Sequence, residues 1–254
     1  MRGAVQMDVQ RALMAVALAA ATLMAGGLGA HVQPSARWLI IVDDLHVDFR
    51  NTGQLRTLLT MIGKELIRDG DQVALCSTSP KSVSVTWTYD RKAVDSVAKK
   101  IAGNGLRVSD ILAIRQDLTA SNEVDYRATV ALSRLNEIIT AVAAGVDRRI
   151  GIIYISNGYV DPWPSLISVG TSVGTSAGTR VGGRTRIPIF ALAPRLLPDA
   201  IGDSKRVEPA QWNAYWAATR NSLVALSESS GGFALAEGQD VAEMLAQISD
   251  LVRR

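Results

Sequence analysis

Short, unbroken apolar runs alternate along the chain with longer stretches in which apolar residues recur every three or four positions. Trp38-Leu39-Ile40-Ile41-Val42 is a continuous apolar run closed by Asp43-Asp44, the pattern of a strand buried on both faces of a parallel sheet. Leu55, Leu58, Leu59, Ile62 and Leu66 follow helical spacing, with Asn51 or Thr52 as cap and Gly70 as stop. Gln72 to Thr78 predicts a second strand. Ser82 to Thr88 alternates, with Val83, Val85 and Trp87 on one face of a half-exposed strand joined to its neighbour through Ser79-Pro80-Lys81. Asp90 caps a helix carrying Val94, Val97 and Ile101, and Gly103-Asn104-Gly105 ends it. Leu106 to Glu123 is ambiguous, with a short helix around Ile111, Leu112 and Ile114. A strong helix follows from Tyr126, carrying Leu132, Leu135, Ile138, Ile139 and Val142.

Ile150 to Ile155 reads as another buried strand, ending at Ser156-Asn157-Gly158, and Ile187 to Leu192 as a further one. Glu208-Pro209 opens a helix with Trp212, Tyr215, Trp216, Leu223 and Leu226, stopped by Gly231-Gly232; the two tryptophans are expected to pack against the sheet. Phe233-Ala-Leu235 predicts a short last strand, and Val241, Met244, Leu245, Ile248, Leu251 and Val252 a closing amphipathic helix. Strands alternating with helices specify an α/β fold: a doubly wound, mostly parallel six-stranded sheet with one antiparallel edge strand and helices on both faces. Ligands of such sheets bind beyond the carboxyl ends of the strands, where the winding direction reverses. The strands ending at Asp43 and at Ser156 are expected to flank that point.

Two segments stand apart from this pattern. Arg2 and Arg11 precede an uncharged, alanine-rich stretch from Ala12 to Ala30. A basic start, a short apolar core and a small-residue exit describe a secretory signal peptide over residues 1–30, with a retained N-terminal anchor as the alternative. Residues 31–37 then form a linker to a domain spanning 38–254. The expected location is periplasmic or secreted, with membrane attachment only through an uncleaved N-terminal segment. The second segment, residues 168–184, is a Gly/Ser/Thr-rich near-repeat without a period that could bury a face, and reads as a mobile surface loop.

Composition narrows the chemistry. The 254 residues carry a net charge of +3, without a dense Lys/Arg stripe interleaved with aromatics, so no nucleic-acid footprint is visible. The single cysteine, Cys76, excludes an intrachain disulfide and reads as a small buried core residue. With two histidines, His31 and His46, a metal site built on several His ligands is excluded within one chain. A Ser-His-Asp set could draw only on His46, and no G-x-S-x-G elbow is present.

Four pieces carry a family resemblance: Leu39-Ile-Ile-Val-Asp-Asp-Leu-His-Val-Asp-Phe49, Tyr154-Ile-Ser-Asn-Gly158, Ile189-Phe-Ala-Leu192 and Leu226-Ser-Glu-Ser-Ser-Gly-Gly-Phe233. Their order resembles the von Willebrand factor A (VWA) domain, a Rossmann-like fold, and more closely the bacterial VWFA-related family first grouped from Acidobacteria. The resemblance runs from about Trp38 to the end. It implies a metal-ion-dependent adhesion site, patterned D-x-S-x-S after the first strand, with a Thr before a later helix and an Asp after the fourth strand.

Hard oxygen ligands of this kind suit Mg²⁺ or Ca²⁺, and alternate residues of an extended loop point to one side. Here the pattern is degenerate. Counted from Asp43 the serine positions are Leu45 and Val47; counted from Asp44 they are His46 and Asp48. Asn157 stands where the later Asp is expected, and Ser109, Thr119 and Ser121 are candidates for the Thr. The candidate ligands of a divalent cation are therefore Asp43, Asp44, His46, Asp48 and Asn157. The alternative role for Asp43 or Asp44 is to accept backbone N–H bonds at the start of the first helix. The resemblance implies a non-enzymatic module that recognises a protein partner through its crest loops. A structural subunit of an envelope complex is the alternative, and a metal-dependent hydrolase a third reading.

Overall fold

Five of the six expected strands build one sheet in the computed structural model, which describes residues 36–79, 84–116, 122–143, 150–160, 187–198, 200 and 205–254. The expected export segment 1–30, residues 31–35 of the expected linker and the glycine-rich stretch 168–184 lie outside the described residues. The strands are β1 (Arg37–Val42), β2 (Gln72–Ser77), β3 (Ser84–Thr88), β4 (Ile150–Ile155) and β5 (Ile189–Leu192). Their order is β3-β2-β1-β4-β5. β1 lies parallel to β2 and β4, β4 parallel to β5, and β3 runs antiparallel to β2 at the edge.

The expected sixth strand is corrected to a single parallel bridge between Ala191 and Ala234. Ala191 N donates to Phe233 O at 3.1 Å and Leu235 N to Ala191 O at 2.9 Å. The ladder stops there because turns close on it from both sides. Gly231 is left-handed at φ +89° and Gly238 at φ +77°, which leaves too few extended residues between them for a second rung.

The helices are α1 (Thr52–Met61), prolonged by a π turn over Ile62–Leu66, α2 (Arg91–Ala98), α3 (Val108–Gln116), α4 (Asn122–Ala143), α5 (Pro209–Ser230) and α6 (Val241–Arg253). Alternate residues of each strand feed two cores. Trp38, Ile40 and Val42 pack with Leu55, Leu58, Ile62, Met244 and Ile248 on one face. Leu39 and Ile41 pack with Leu132, Leu135, Ile139, Leu223 and Leu226 on the other. Helices on both faces, as expected, bury β4 and β5 throughout and β1 beyond Arg37, whereas the edge strand β3 stays half-exposed.

Helix boundaries follow their capping chemistry. Asp90, Glu208 and Asp240 each accept a hydrogen bond from the backbone N–H two residues on. Two expectations shift in detail. The sheet-facing stripe of α5 is Tyr215, Thr219, Ser222, Leu223 and Leu226. Trp212 and Trp216 sit beside it, half-buried, with ring centroids 5.9 Å apart. Cys76 packs against the second core while staying partly exposed, and burial pushes its thiol up to about 12, against a lowering by the Arg134 charge. No described helix is long and apolar enough to cross a membrane.

Candidate functional site

The chain leaves β1 to form β2 on one side, whereas β4 lies on the other, so β1 and β4 flank the point where the winding reverses. Hydrogen bonding continues one residue past the strand ends. Asp43 N donates to Ile155 O at 2.8 Å, Thr78 N to Val42 O at 2.9 Å and Ser156 N to Leu192 O at 3.1 Å. Val42 is in register with Ser77 and with Ile155. The next residues, Thr78, Asp43 and Ser156, therefore stand side by side along the rim.

The Asp43 carboxylate is fully buried and accepts from five side chains. Thr78 Oγ1 donates to Oδ1 at 3.0 Å, and His46 Nδ1 lies 3.0 Å from Oδ1 and 2.9 Å from Oδ2. Oδ2 accepts from Tyr154 OH at 2.9 Å, Ser156 Oγ at 2.8 Å and Tyr159 OH at 2.8 Å. The two tyrosine hydroxyls are also in contact, but with both protons given to Oδ2 neither is left to donate across that pair. Burial pushes the carboxyl up, but the His46 charge and the hydrogen bonds from His46, Tyr159 and Ser156 outweigh it, and Asp43 is held below its ordinary value. Burial, reinforced by the Asp43 charge, pushes both tyrosines well above theirs. They stay neutral and serve as donors.

The other candidate ligands point elsewhere. Asp44 is buried; its Oδ1 accepts from Ser79 N at 3.0 Å and its Oδ2 from Asn104 Nδ2 at 2.8 Å. Thr78 Oγ1, 3.5 Å from Asp44 Oδ1, links the two carboxylates. Asp48 caps the turn after it, accepting from Arg50 N at 2.9 Å and pairing with the Arg50 guanidinium. Asn157 Oδ1 accepts from Arg195 N at 3.3 Å. Ser109 Oγ donates to its neighbour Asp110 Oδ1 at 3.4 Å, and Thr119 and Ser121 lie outside the described residues.

The structure thus joins Asp43, His46 and Asp44 and separates Asp48 and Asn157 from them. The reason is the loop. The chain after β1 enters 3-10 turns at Asp44–His46 and Phe49–Asn51, so alternate residues do not point to one side as they would on extended backbone. A divalent cation needs several free carboxylate oxygens. The acceptor capacity of Asp43 is already filled by protein donors, Asp44 accepts from an amide and a backbone N–H, and Asp48 holds an arginine. Among the described residues no group of three or more His, Cys, Asp or Glu side chains is arranged as a metal site. The side chains as placed do not fit a metal ion.

Four participants were not among the candidate site residues: Thr78, Tyr154, Tyr159 and Asn104. Thr78 was reachable by aligning the strand ends. Tyr159 is brought in by a turn at Gly158, left-handed at φ +84°, where a Cβ would lie 2.0 Å from Thr219 O. Asn104 belongs to a segment docked under the crest loop: Asn104 N donates to Asp44 O at 2.7 Å and Gly105 N to Val47 O at 2.8 Å. Above this network lies a cavity of about 220 Å³, lined by Leu45, His46, Leu106, Thr129 and Tyr159 among others. The His46 and Tyr159 rings, 4.5 Å apart, form its floor.

The hydrogen bonds around His46 differ from those of a nucleophile–base pair. Ser156 and Thr78 donate to the carboxylate and not to the imidazole. Among the described residues no Ser, Thr or Cys side chain is hydrogen-bonded to His46, whose one hydrogen-bonded partner is Asp43.

No protein-family model matches the sequence. No curated protein matches it either. Solved structures of similar shape are distant in sequence. An aerotolerance-related membrane protein from Bacteroides fragilis has a TM-score of 0.48 at 9% identity, over 86% of this chain and 98% of its own. The pilus adhesin SpaC from Lactobacillus rhamnosus has a TM-score of 0.45 at 13% identity, over 89% of this chain and 31% of its own, so this chain spans about a third of that adhesin. The manganese-loaded TRAP protein of Plasmodium vivax has a TM-score of 0.37 at 11% identity, over 76% of this chain and 74% of its own. The strand order is that of an open, doubly wound α/β sheet, parallel except for one antiparallel edge strand.

Proposed function

We propose that the chain is an exported, non-enzymatic binding module that recognises a protein partner through the loops at the carboxyl ends of β1 and β4, with no metal ion in the contact. The observation that carries this reading is the filled coordination of Asp43: five protein donors surround a buried carboxylate directly beneath a cavity at the switch point. A saturated donor network is a rigid floor. It holds His46 and Tyr159 in one orientation, and a partner side chain entering the cavity meets a preformed surface.

The structural-subunit reading shares this surface and differs only in how permanent the contact is. The test is retention of envelope proteins by the immobilised, purified chain, with and without EDTA, followed by size-exclusion of the native complex. The expected result is a specific protein retained equally with and without chelator, and lost in Thr129→Trp, which places an indole in the cavity from an exposed position of α4. Retention that needs Mg²⁺ or Ca²⁺, or that survives Thr129→Trp, overturns the reading.

A further inference from the structure

A second cleft lies on the other side of Asn157, between the end of β5 and α5. Arg195 sits in the 3-10 turn Pro194–Leu196 that follows β5. Its guanidinium stacks on the Trp216 ring, with Cζ 4.3 Å from the ring centroid. Its Nε and Nη1 are buried and have no hydrogen-bond partner among the described residues. Burial pulls the guanidinium down to about 10, and the sole opposing influence is the Tyr215 hydroxyl, not a carboxylate. Ala193, Leu196, Leu223 and Ala234 form apolar walls, and a second arginine, Arg220, stands at the mouth with an exposed side chain. Among the described residues no Asp or Glu lines the cleft.

Two arginines facing an apolar slot with no carboxylate among the described residues is an unbalanced arrangement. A buried charge without a partner is costly, and native structures supply one. The guanidinium cannot shed its proton at physiological pH, so the missing partner must be an acceptor. Its aromatic backing fixes the plane of the N–H groups, which suits a planar anion. The free space is about 10 Å³, room for one oxygen-sized group. The leading oxygen of a carboxylate fits that space beside the buried N–H groups.

We propose that this cleft is a carboxylate-binding site, and that it takes an acidic side chain of a partner protein. Arg195 is the buried anchor, Trp216 its backing, and Arg220 the outer charge that draws the anion in. The inference stands on Arg195 and does not depend on the cavity above His46. A partner that left that cavity empty could still use the cleft.

The test is titration of the full-length chain with N-acetyl-aspartate amide, followed by ¹H–¹⁵N resonances of the arginine Nε–H and tryptophan indole groups. N-acetyl-asparagine amide and inorganic phosphate serve as parallel arms. The Arg195 and Trp216 signals should shift saturably with the aspartate probe and not with the other two. Arg195→Gln should abolish the shift. Because it removes an unpaired buried charge, it should fold at least as stably as the parent. Arg220→Gln, at an exposed position, should weaken binding by about three- to tenfold. Absence of a saturable shift, an equal response to phosphate, or an unchanged response in Arg195→Gln overturns the proposal. So does a chain in which Asn at Asp161, Asp199 or Asp203 alone makes Arg195 responsive, since the acceptor is then the chain's own.

Discussion

Asp43 shows how one side chain can change what a familiar position does. A lone buried carboxylate is strongly disfavoured, yet here the ionised form is the stabilised one, because five donors converge on it. Asp43→Asn keeps the shape and sets an amide N–H₂ against hydroxyl and imidazole donors. The expected cost is about 2–4 kcal/mol at pH 7, measured by urea unfolding. The pH dependence has a definite sign. The folded carboxyl titrates below its unfolded value of about 4, so its contribution is complete above that value and lost as pH falls through the folded one. The gap between parent and Asp43→Asn should therefore be widest near neutrality and shrink below about pH 4. A constant gap from pH 7 to pH 3 would mean the carboxylate charge is not what the network holds.

At the scale of elements, glycines at close approaches decide where strands and loops stop. A Cβ on Gly232 would lie 2.0 Å from Ile189 O, a backbone atom that cannot move without opening the Ala191 bridge. Gly232→Ala should cost about 2–4 kcal/mol in chemical denaturation. Gly53, in the first turn of α1, meets nothing within 4 Å and has no positive φ, so Gly53→Ala should stabilise by about 0.5–1 kcal/mol. If both substitutions gave the same small effect, the close-approach argument would fail. The two cases also show what a sequence discloses. The span of α5 was legible because its ends are local: Glu208 caps it, Pro209 starts it and Gly231 turns out of it. Asp43 and Ser156 were legible because parallel strands of similar length end at one rim. The failure at 233–235 came from two turns whose closeness is invisible in an apolar triplet. Asp48 was grouped with Asp43 on the premise of an extended loop, which the 3-10 turns remove. Tyr159 and Asn104 reach the site only through tertiary docking, at Gly158 against Thr219 and at Gly105 against Val47, and no local pattern announces such contacts.

Across the whole molecule, polar groups are buried at both ends of the sheet and serve different ends. At the rim opposite the crest, the fully buried Asp71 side chain accepts from Trp38 Nε1 at 3.0 Å, Arg68 N at 2.9 Å and Arg253 Nη1 at 2.9 Å. Arg253 also donates to Leu66 O at 3.2 Å and Ser249 Oγ at 3.0 Å, and lies over the Trp38 ring. One ion pair thus ties the first strand, the end of the π turn, the approach to β2 and the last helix. These parts are far apart in sequence, so the lock closes only when the chain is folded. Arg253→Met leaves Asp71 buried without its cation and should cost about 3–5 kcal/mol. Asp71→Asn in the same chain removes the orphaned charge, so the double variant should be less destabilised than the sum of the two single ones. The crest should not respond, because no residue is shared between Asp71–Arg253 and Asp43–His46. Thermal unfolding of the four chains, with the His46 ring resonances followed in parallel, checks both statements. Additive losses would deny the coupling, and a changed His46 environment in folded Arg253→Met would show that the two ends of the sheet are not independent.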